Sequence, residues 1–556
     1  MKLSIHERAG QVAQQQDLVN IPKLMSHYFC IKPDIKLDEQ KVCFGTSGHR
    51  GSSLMGSFNQ AHILAITQAV VDYRNGAGIS GPLYLGIDTH ALSQAAFISA
   101  IEVLVANRVS VIIHQDEGFT PTPVVSHSII QANKQLDALK PALADGLIVT
   151  PSHNPPQDGG IKYNPPHGGP AEGEITQWIE QKANQYLGDE LEGVKRLDYA
   201  VAIASPLVKK ADLIAPYVDD LDAVIDMKAI SDAGIRIGVD PMGGSGIHYW
   251  AKIAKRYNLD ISLVNTRIDP SFSFMPLDKD GKIRMDCSSP YAMAGLLKQQ
   301  DNFDLCVGND PDYDRHGIVC PGSGLMNPNH FLAVAIDYLL THRPQWSDAL
   351  IIGKTLVSSA MIDKVCAQHD KPLCEVPVGF KWFVDGLADA SFAFGGEESA
   401  GAAFLRRDGT TWCTDKDGFI LALLAAEILA VTGQTPAQRY QQLVALHGES
   451  FYKRVDSPVQ ADKKAKFAQV LKKEVNIQTL GTETLAGESI LTVLTKAPGN
   501  HADIGGIKVI TENAWFAARP SGTEALFKIY GESFISQAHL EQVIIEAQAM
   551  IDALLA

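Results

Sequence analysis

Three stretches of this chain repeat one design: an apolar strand, a turn of small residues, and the start of a helix. They are "LYLGIDTHALS" (83–93), "IRIGVDPMGGSG" (235–246) and "LIIGKTLVSSA" (350–360). Strands that alternate with helical stretches pair through crossovers, which places the chain in the α/β class with parallel or mixed sheets. The echo points to three similar α/β units. A length of 556 residues leaves room for three or four domains at roughly 100–200 residues each. Turn-rich or polar segments at 204–218, 320–330 and 432–442 divide the chain. The expected units are 1–205, 206–321, 322–440 and 441–556, the last closing on strands and a helix.

Charge narrows the partners. A formal net charge of −15 argues against a nucleic-acid binder, which normally shows a basic surface. It leaves room for an anionic small molecule in a local basic cleft. The eight cysteines form no C-x-x-C pair, so neither a zinc ribbon nor a redox motif is indicated. Unpatterned cysteines and an opening, "MKLSIHERAGQVAQQQ", without an apolar stretch lead us to expect a cytoplasmic protein. The apolar run "FILALLAAEILAV" (419–431) is too short to span a bilayer and carries Glu427. It reads as a buried helix, and no membrane partner is expected.

Four loops carry candidate chemistry, each after a strand. In "IVTPSHNPPQDGGIKYNPP" (148–166) Ser152 follows a short apolar strand, where ligands of α/β sheets gather. Pro151, Pro155 and Pro156 stiffen the turn, and an ordinary surface turn would use the same residues. In "FDLCVGNDPDYDRHG" (303–317), Asp310, Asp312 and Asp314 occupy alternate positions, so extended chain would aim all three carboxylates one way. Oxygen-only ligands select a hard cation such as Mg²⁺. An EF-hand is excluded, because Arg315 and Pro321 stand where its Gly and Glu belong. A solvated acidic loop is the plain alternative.

The third loop, "FAFGGEESAGAAFLRRDGTTWCTDKDG" (392–418), offers Glu397, Glu398 and Ser399 beside a glycine pair. Carboxylates and a hydroxyl at close backbone approach suit sugar hydroxyls, while Glu398 equally suits a helix start. Lys416 fits a loop lysine, or a lysine whose pKa a closed cleft lowers enough for proton transfer. In the fourth, "NAWFAARPSGTEALFKIYGES" (513–533), Arg519 offers bidentate donors for phosphate. Ser521, Thr523 and the N–H groups around Gly522 complete a nest. Other phosphate motifs fail: "IIGKT" lacks the P-loop glycine at Asp348, and "GGSGIHY" ends its would-be dinucleotide fingerprint in Tyr249.

Taken together, the chain resembles the α-D-phosphohexomutase family, and its bacterial glucose branch most of all. The resemblance runs nearly end to end, through "FGTSGHRGS" (44–52), "TPSHNPPQDGGIKYN" (150–164), "DPDYDRHG" (310–317), "VPVGFKWFVDG" (376–386), "GGEESAG" (395–401) and "RPSGTE" (519–524). It implies a heart-shaped, four-domain fold: three topologically related α/β domains and a C-terminal α+β domain of the TATA-binding-protein-like type. It further implies that Ser152 is a phosphoserine and that Asp310, Asp312 and Asp314 hold one Mg²⁺ together with a phosphoserine oxygen. Gly379, Lys381, Glu397, Ser399, Arg519, Ser521, Gly522 and Thr523 would bind the phosphosugar.

The implied reaction is an isomerisation of glucose 1-phosphate and glucose 6-phosphate, with glucose 1,6-bisphosphate as intermediate and activator. Phosphoryl transfer is chiefly positioning and electrostatics, for which Arg50, Lys162 and Arg315 supply cations. His153 would orient or donate, and Lys416 would move the proton. The resemblance extends to mannose and glucosamine phosphate mutases; "GFKWF" (379–383) and "GGEESAG" favour glucose. A metal-dependent phosphatase would need a second ligand set, which the sequence does not offer. A binding protein without activity would have little use for Ser152 beside the aspartates. Monomer and homodimer both fit.

Overall fold

A computed structural model describes residues 5–45, 48–135, 142–458, 466–467, 469–471, 475–520 and 526–555. Three mixed sheets follow one another along the chain, and each contains the same four-strand order. In the first, Leu83–Ile87 lies between Val111–His114 and Asp145–Val149, parallel to both, and Asp158–Asn164 returns antiparallel beside the third. The second sheet places Arg236–Asp240 between Asp260–Leu263 and Leu305–Gly308, with Gly317–Cys320 antiparallel. The third places Ile351–Thr355 between Leu373–Val376 and Phe392–Glu397, with Gly401–Phe404 antiparallel. The three echoing stretches of sequence are thus the central strands of three like sheets.

This topology positions the candidate site. The turn between third and fourth strands lies beyond the carboxyl end of the parallel strands, the usual place for ligands in such sheets. In the first sheet that turn carries Ser152, in the second the three aspartates, and in the third Glu398 and Ser399. Each has one non-glycine residue with positive φ: Ser152 at 60°, Tyr313 at 61° and Ala400 at 71°.

The apolar run at 419–431 forms the buried helix Gly418–Thr432. Asp417 caps it by accepting from Phe419 N and Ile420 N, and Gly433 ends it at φ 67°. Inside it Glu427 is 1% exposed, and Arg343 (2.7 and 3.0 Å) and the Tyr338 hydroxyl (2.9 Å) satisfy it. No single described helix is long and apolar enough to cross a membrane; this helix and Pro436–His447 pass together by composition but are bent by 75°.

One apolar core runs through the second and third units, including Trp250, Tyr313, Phe383 and Phe419. The first unit has its own, around Phe58, Phe97 and Leu147. Val208–Ala211, just past the expected first boundary, is the edge strand of the first sheet, paired with Val111–His114. Residues 9–12 bridge to Pro276 and Leu277 of the second unit.

The C-terminal unit is α+β. Its antiparallel sheet orders Phe451–Pro458, Leu526–Ser533, Ala514–Pro520, Asp503–Ile510 and Thr492–Lys496. Helix Gln537–Leu554 covers one face through Leu540, Val543 and Ile551. The other face sets Trp515, Ala517 and Tyr530 against Leu356 and Val357 of the third unit.

Candidate active site

The fully buried strand Asp145–Val149 leads to Ser152, which is 1% exposed. Its φ of 60° costs roughly 1–3 kcal/mol for a residue with a Cβ, so the surroundings must hold it. Part of that hold is local: Ser152 N donates to Thr150 Oγ1 at 2.8 Å. Gly160 lets the returning strand close against the turn, since a Cβ there would lie 2.2 Å from the Thr150 carbonyl oxygen. Ser152 Oγ donates to Asp310 Oδ2 at 2.7 Å, with His153 Nδ1 3.3 Å away. Two loops of different sheets therefore meet at the serine hydroxyl.

Asp310, Asp312 and Asp314 converge, but not through the extended chain that their alternation led us to expect. The segment turns at Pro311–Asp312 and inverts at Tyr313, and the three carboxylates then bring one oxygen each within 4.8 Å of one another. All three are buried. Burial first, then the charges of Asp312 and Asp314, push Asp310 well above the usual carboxylate range. Asp314 is also opposed by burial, yet Lys162, Lys416 and Arg315 hold it well below that range. Asp312 Oδ1 and Asp314 Oδ1 are buried without a hydrogen-bond partner. Converging acceptors with unsatisfied oxygens and no soft ligand fit a hard divalent cation such as Mg²⁺.

Cations surround this cluster. Lys162, 2% exposed on the strand Asp158–Asn164, reaches Asp312 Oδ2 at 2.6 Å and Asp314 Oδ2 at 3.2 Å. Arg315 donates its N–H to Asp310 Oδ1 at 3.0 Å, and its Nε lies 3.7 Å from Asp314 Oδ1. Arg50, on the strand His49–Ser52, bonds Asn154 Oδ1 at 3.3 Å and faces the same three aspartates. Burial, reinforced by the Arg315 charge, lowers His153 to about 3, so its ring is neutral near pH 7.

Lys416 departs from expectation. Burial does oppose its charge, but Asp314, Asp415 and Glu397 outweigh it and raise the pKa above the ordinary lysine value. Its Nζ stands 3.2 Å from Asp314 Oδ2 and 3.5 Å from Asp415 Oδ1. Glu397, at the end of its strand, is pushed up to about 7 by burial against the pull of Lys416.

The remaining predicted residues belong to the third and C-terminal units. Ser399 is half-buried in the third turn, and Glu398 accepts from Thr355 Oγ1 at 2.9 Å. Gly379 has φ 128°, and the half-buried Lys381 places its Nζ 5.2 Å from the Trp382 ring centroid. Burial and then the Glu398 charge raise the phenols of Tyr452 and Tyr530, so the C-terminal sheet stands close to the third turn. Arg519 lies at the end of Ala514–Pro520, opposite Lys528. Ser521, Gly522 and Thr523 lie outside the described residues.

Two residues join the cluster unannounced. Thr122 braces Asp312 twice, N–H to carbonyl at 3.0 Å and Oγ1 to Oδ2 at 2.8 Å. Asp415 is held by Asn164 Nδ2 at 3.0 Å and faces Lys416. The contacts that seat them, Thr122 on Asp312 and Asn164 on Asp415, join residues distant in the chain.

Comparison with known proteins agrees with this layout. Descriptions of phosphoglucomutase/phosphomannomutase α/β/α domains I, II and III match residues 41–188, 215–323 and 327–447, and that of the C-terminal domain matches 458–547. The chain is 54% identical over 553 residues to a phosphoglucomutase of Komagataeibacter xylinus, covering 100% of this chain and 98% of the relative. It is 25% identical to phosphoglucomutase 2 of Saccharomyces cerevisiae, over 90% and 91% of the two chains. The fold is similar to that of the pp63/parafusin phosphoglucomutase of Paramecium in its open form: TM-score 0.72, 21% identity, 94% of this chain and 96% of that one.

Proposed function

The chain belongs to the phosphoglucomutase/phosphomannomutase family, and from that premise we propose that it interconverts glucose 1-phosphate and glucose 6-phosphate through a phosphorylated Ser152. The observation that carries the reading is the bond from Ser152 Oγ to Asp310 at the junction of two sheet loops, ringed by Lys162, Arg315 and Lys416. A phosphoryl group on Ser152 passes to O6 of glucose 1-phosphate as the Oγ–P bond breaks and the O6 proton ends on Ser152 Oγ. The glucose 1,6-bisphosphate so formed turns end for end and returns its C1 phosphoryl group to Ser152, leaving glucose 6-phosphate.

Ser152 is held in one orientation by its buried, inverted turn, which suits transfer to a positioned acceptor. Asp310, Asp312 and Asp314 would hold one Mg²⁺, which when bound neutralises charge on phosphoryl oxygens. Lys162, Arg315 and Arg50 add fixed positive charge where the transferring group gains negative charge. Lys416 holds a proton at Nζ and contributes as a cation beside the acceptor. Glu397 and Ser399 grip sugar hydroxyls, with Gly379 and Lys381 adding contacts to the phosphosugar. Arg519, with Ser521, Gly522 and Thr523, clamps the distal phosphate.

A coupled assay comparing glucose 1-phosphate, mannose 1-phosphate and glucosamine 6-phosphate tests the substrate, with glucose 1-phosphate turned over fastest. Ser152→Ala should lose phosphate by intact-protein mass spectrometry and at least about a thousandfold in turnover, the scale seen when a nucleophile is removed. Near-normal activity in that variant sinks the reading.

A further inference from the structure

The turn that carries Ser152 is gripped on both sides by two residues from the end of the neighbouring central strand. Asp88, 1% exposed, accepts Thr150 Oγ1 at 2.7 Å, and that same Oγ1 accepts Ser152 N at 2.8 Å. His90, 2% exposed, donates from Nε2 to the Asn154 carbonyl oxygen at 3.0 Å. Thr150 lies two residues before the serine and Asn154 two residues after it.

The two grips are coupled. His90 Nδ1 meets Asp88 Oδ2 at 2.8 Å, while His90 N and Ser93 Oγ donate to Asp88 Oδ1 at 3.0 and 2.6 Å. A neutral imidazole has one donor and one acceptor nitrogen. Both His90 nitrogens face pure acceptors, a carboxylate and a carbonyl, so both must carry hydrogen. Burial opposes that charge, but Asp88 and then Asn154 and Asp158 outweigh it and raise His90 from its ordinary value. Asp88 is correspondingly held below the usual carboxylate range, against burial.

The second sheet supplies an internal control. Asp240 ends its central strand just as Asp88 does, yet among the described residues its carboxylate is bonded by Met242 N alone, at 2.9 Å. A carboxylate gathering four donors is therefore no requirement of the fold. It occurs where the third-strand turn carries Ser152.

We propose that Asp88 and His90 form a buried ion pair that positions the Ser152 turn, so that His90 must stay protonated for the serine to keep its inverted geometry. Both are positioning residues: they act through Thr150 and Asn154 without touching substrate. Loss of the His90 proton would set a lone pair against an acceptor and release one grip. The charged groups facing His90 are Asp88 on its own segment and Asp158 across the turn, with Arg284 and Arg50 beyond Asp158. The Phe272 ring, 5.0 Å between centroids, packs against it without charge. The inference rests on the role proposed for Ser152.

The test begins with the wild-type enzyme. Ring-nitrogen NMR of ¹⁵N-histidine protein at pH 7, with His90 identified by its loss in His90→Gln, should show both nitrogens protonated. His90→Gln and Thr150→Val should then lower kcat roughly ten- to hundredfold per phosphorylated chain, with KM within about twofold, as expected of a misplaced reacting group. Thr150→Ser, which keeps the hydroxyl, should restore most of the rate. The alkaline fall of wild-type kcat should be missing from His90→Gln. A neutral His90 ring, assigned by through-bond correlation to its own backbone where His90→Gln does not fold, overturns the inference, and so does an unchanged alkaline limb or a Thr150→Ser as slow as Thr150→Val. Should Ser152→Ala keep its turnover, the role of Ser152 fails instead, whatever the ring shows.

Discussion

At the scale of single residues, Asp312 divides the work of the cluster between its two oxygens. Lys162 and Thr122 both bond its Oδ2, while its Oδ1 is buried without a partner. Asp312→Asn keeps the shape and an oxygen for Thr122 but removes the negative charge. Losing one charged contact of about 1.5–3 kcal/mol corresponds to roughly ten- to hundredfold in affinity. Mg²⁺ affinity by titration calorimetry and turnover at limiting Mg²⁺ should therefore fall together. An Asp312→Asn enzyme that binds Mg²⁺ as tightly as wild type would remove Asp312 from the metal site.

At the scale of elements, the helix Gln60–Gly76 is set by a buried histidine at its start. Asn59 N donates to His62 Nδ1 at 3.0 Å, and His62 Nε2 donates to the Gln40 carbonyl oxygen at 2.9 Å. That pattern needs a neutral ring, the opposite of His90, and burial lowers His62 to about 3. His316 is likewise lowered to about 3 by burial. A histidine whose folded pKa is depressed gives stability that is full above its unfolded value near 6.5. That stability is lost as pH falls toward 3, because the unfolded chain binds the proton first. Each group should cost about 1.4 kcal/mol per pH unit across that window. Thermal midpoints from pH 7 to 4 should drop steeply, and His62→Gln, which keeps a donor and an acceptor, should flatten the drop. An equal slope in both proteins would locate the acid sensitivity elsewhere.

For the whole molecule, the decisive contact is the docking of the C-terminal sheet on the third unit. Glu532, fully buried, accepts from Ala360 N at 2.7 Å, Trp515 Nε1 at 2.7 Å, Ser450 Oγ and Ser359 Oγ. Lys508 adds Glu375 at 3.0 Å, itself 3.2 Å from Lys354. Glu532→Ala strands four donors, three of them on buried residues, and should cost about 3 kcal/mol or more, seen as an earlier calorimetric transition of the C-terminal unit. A single unshifted transition would show that the apolar face alone holds the unit. The docking also governs the phosphate clamp that we propose around Arg519. The bisphosphate must reverse without escaping, a task suited to a unit that opens and closes. Arg519→Ala should raise KM roughly ten- to hundredfold, release more bisphosphate and make turnover depend on added glucose 1,6-bisphosphate. Unchanged KM with no such dependence would put the clamp elsewhere.

Strand-turn-helix patterning was enough to read three like α/β units, because each unit's apolar rhythm and small-residue turn are local. The same holds for the turns: Ser152, the three aspartates and Glu397 stand out because each sits where a strand gives way to polar chain. Tertiary structure alone decided which of these turns meet. Ser152 and Asp310 are separated by 158 residues, Thr122 and Asp312 by 190, and Asn164 and Asp415 by 251, so no periodicity links them. It also decided charge. Lys416 in isolation reads as a loop lysine or as one that a closed cleft would discharge, and nothing local singles out His90. Their pKa shifts follow from the carboxylates brought beside them, and a pKa in a buried site is set by neighbours in space rather than by neighbours in the chain.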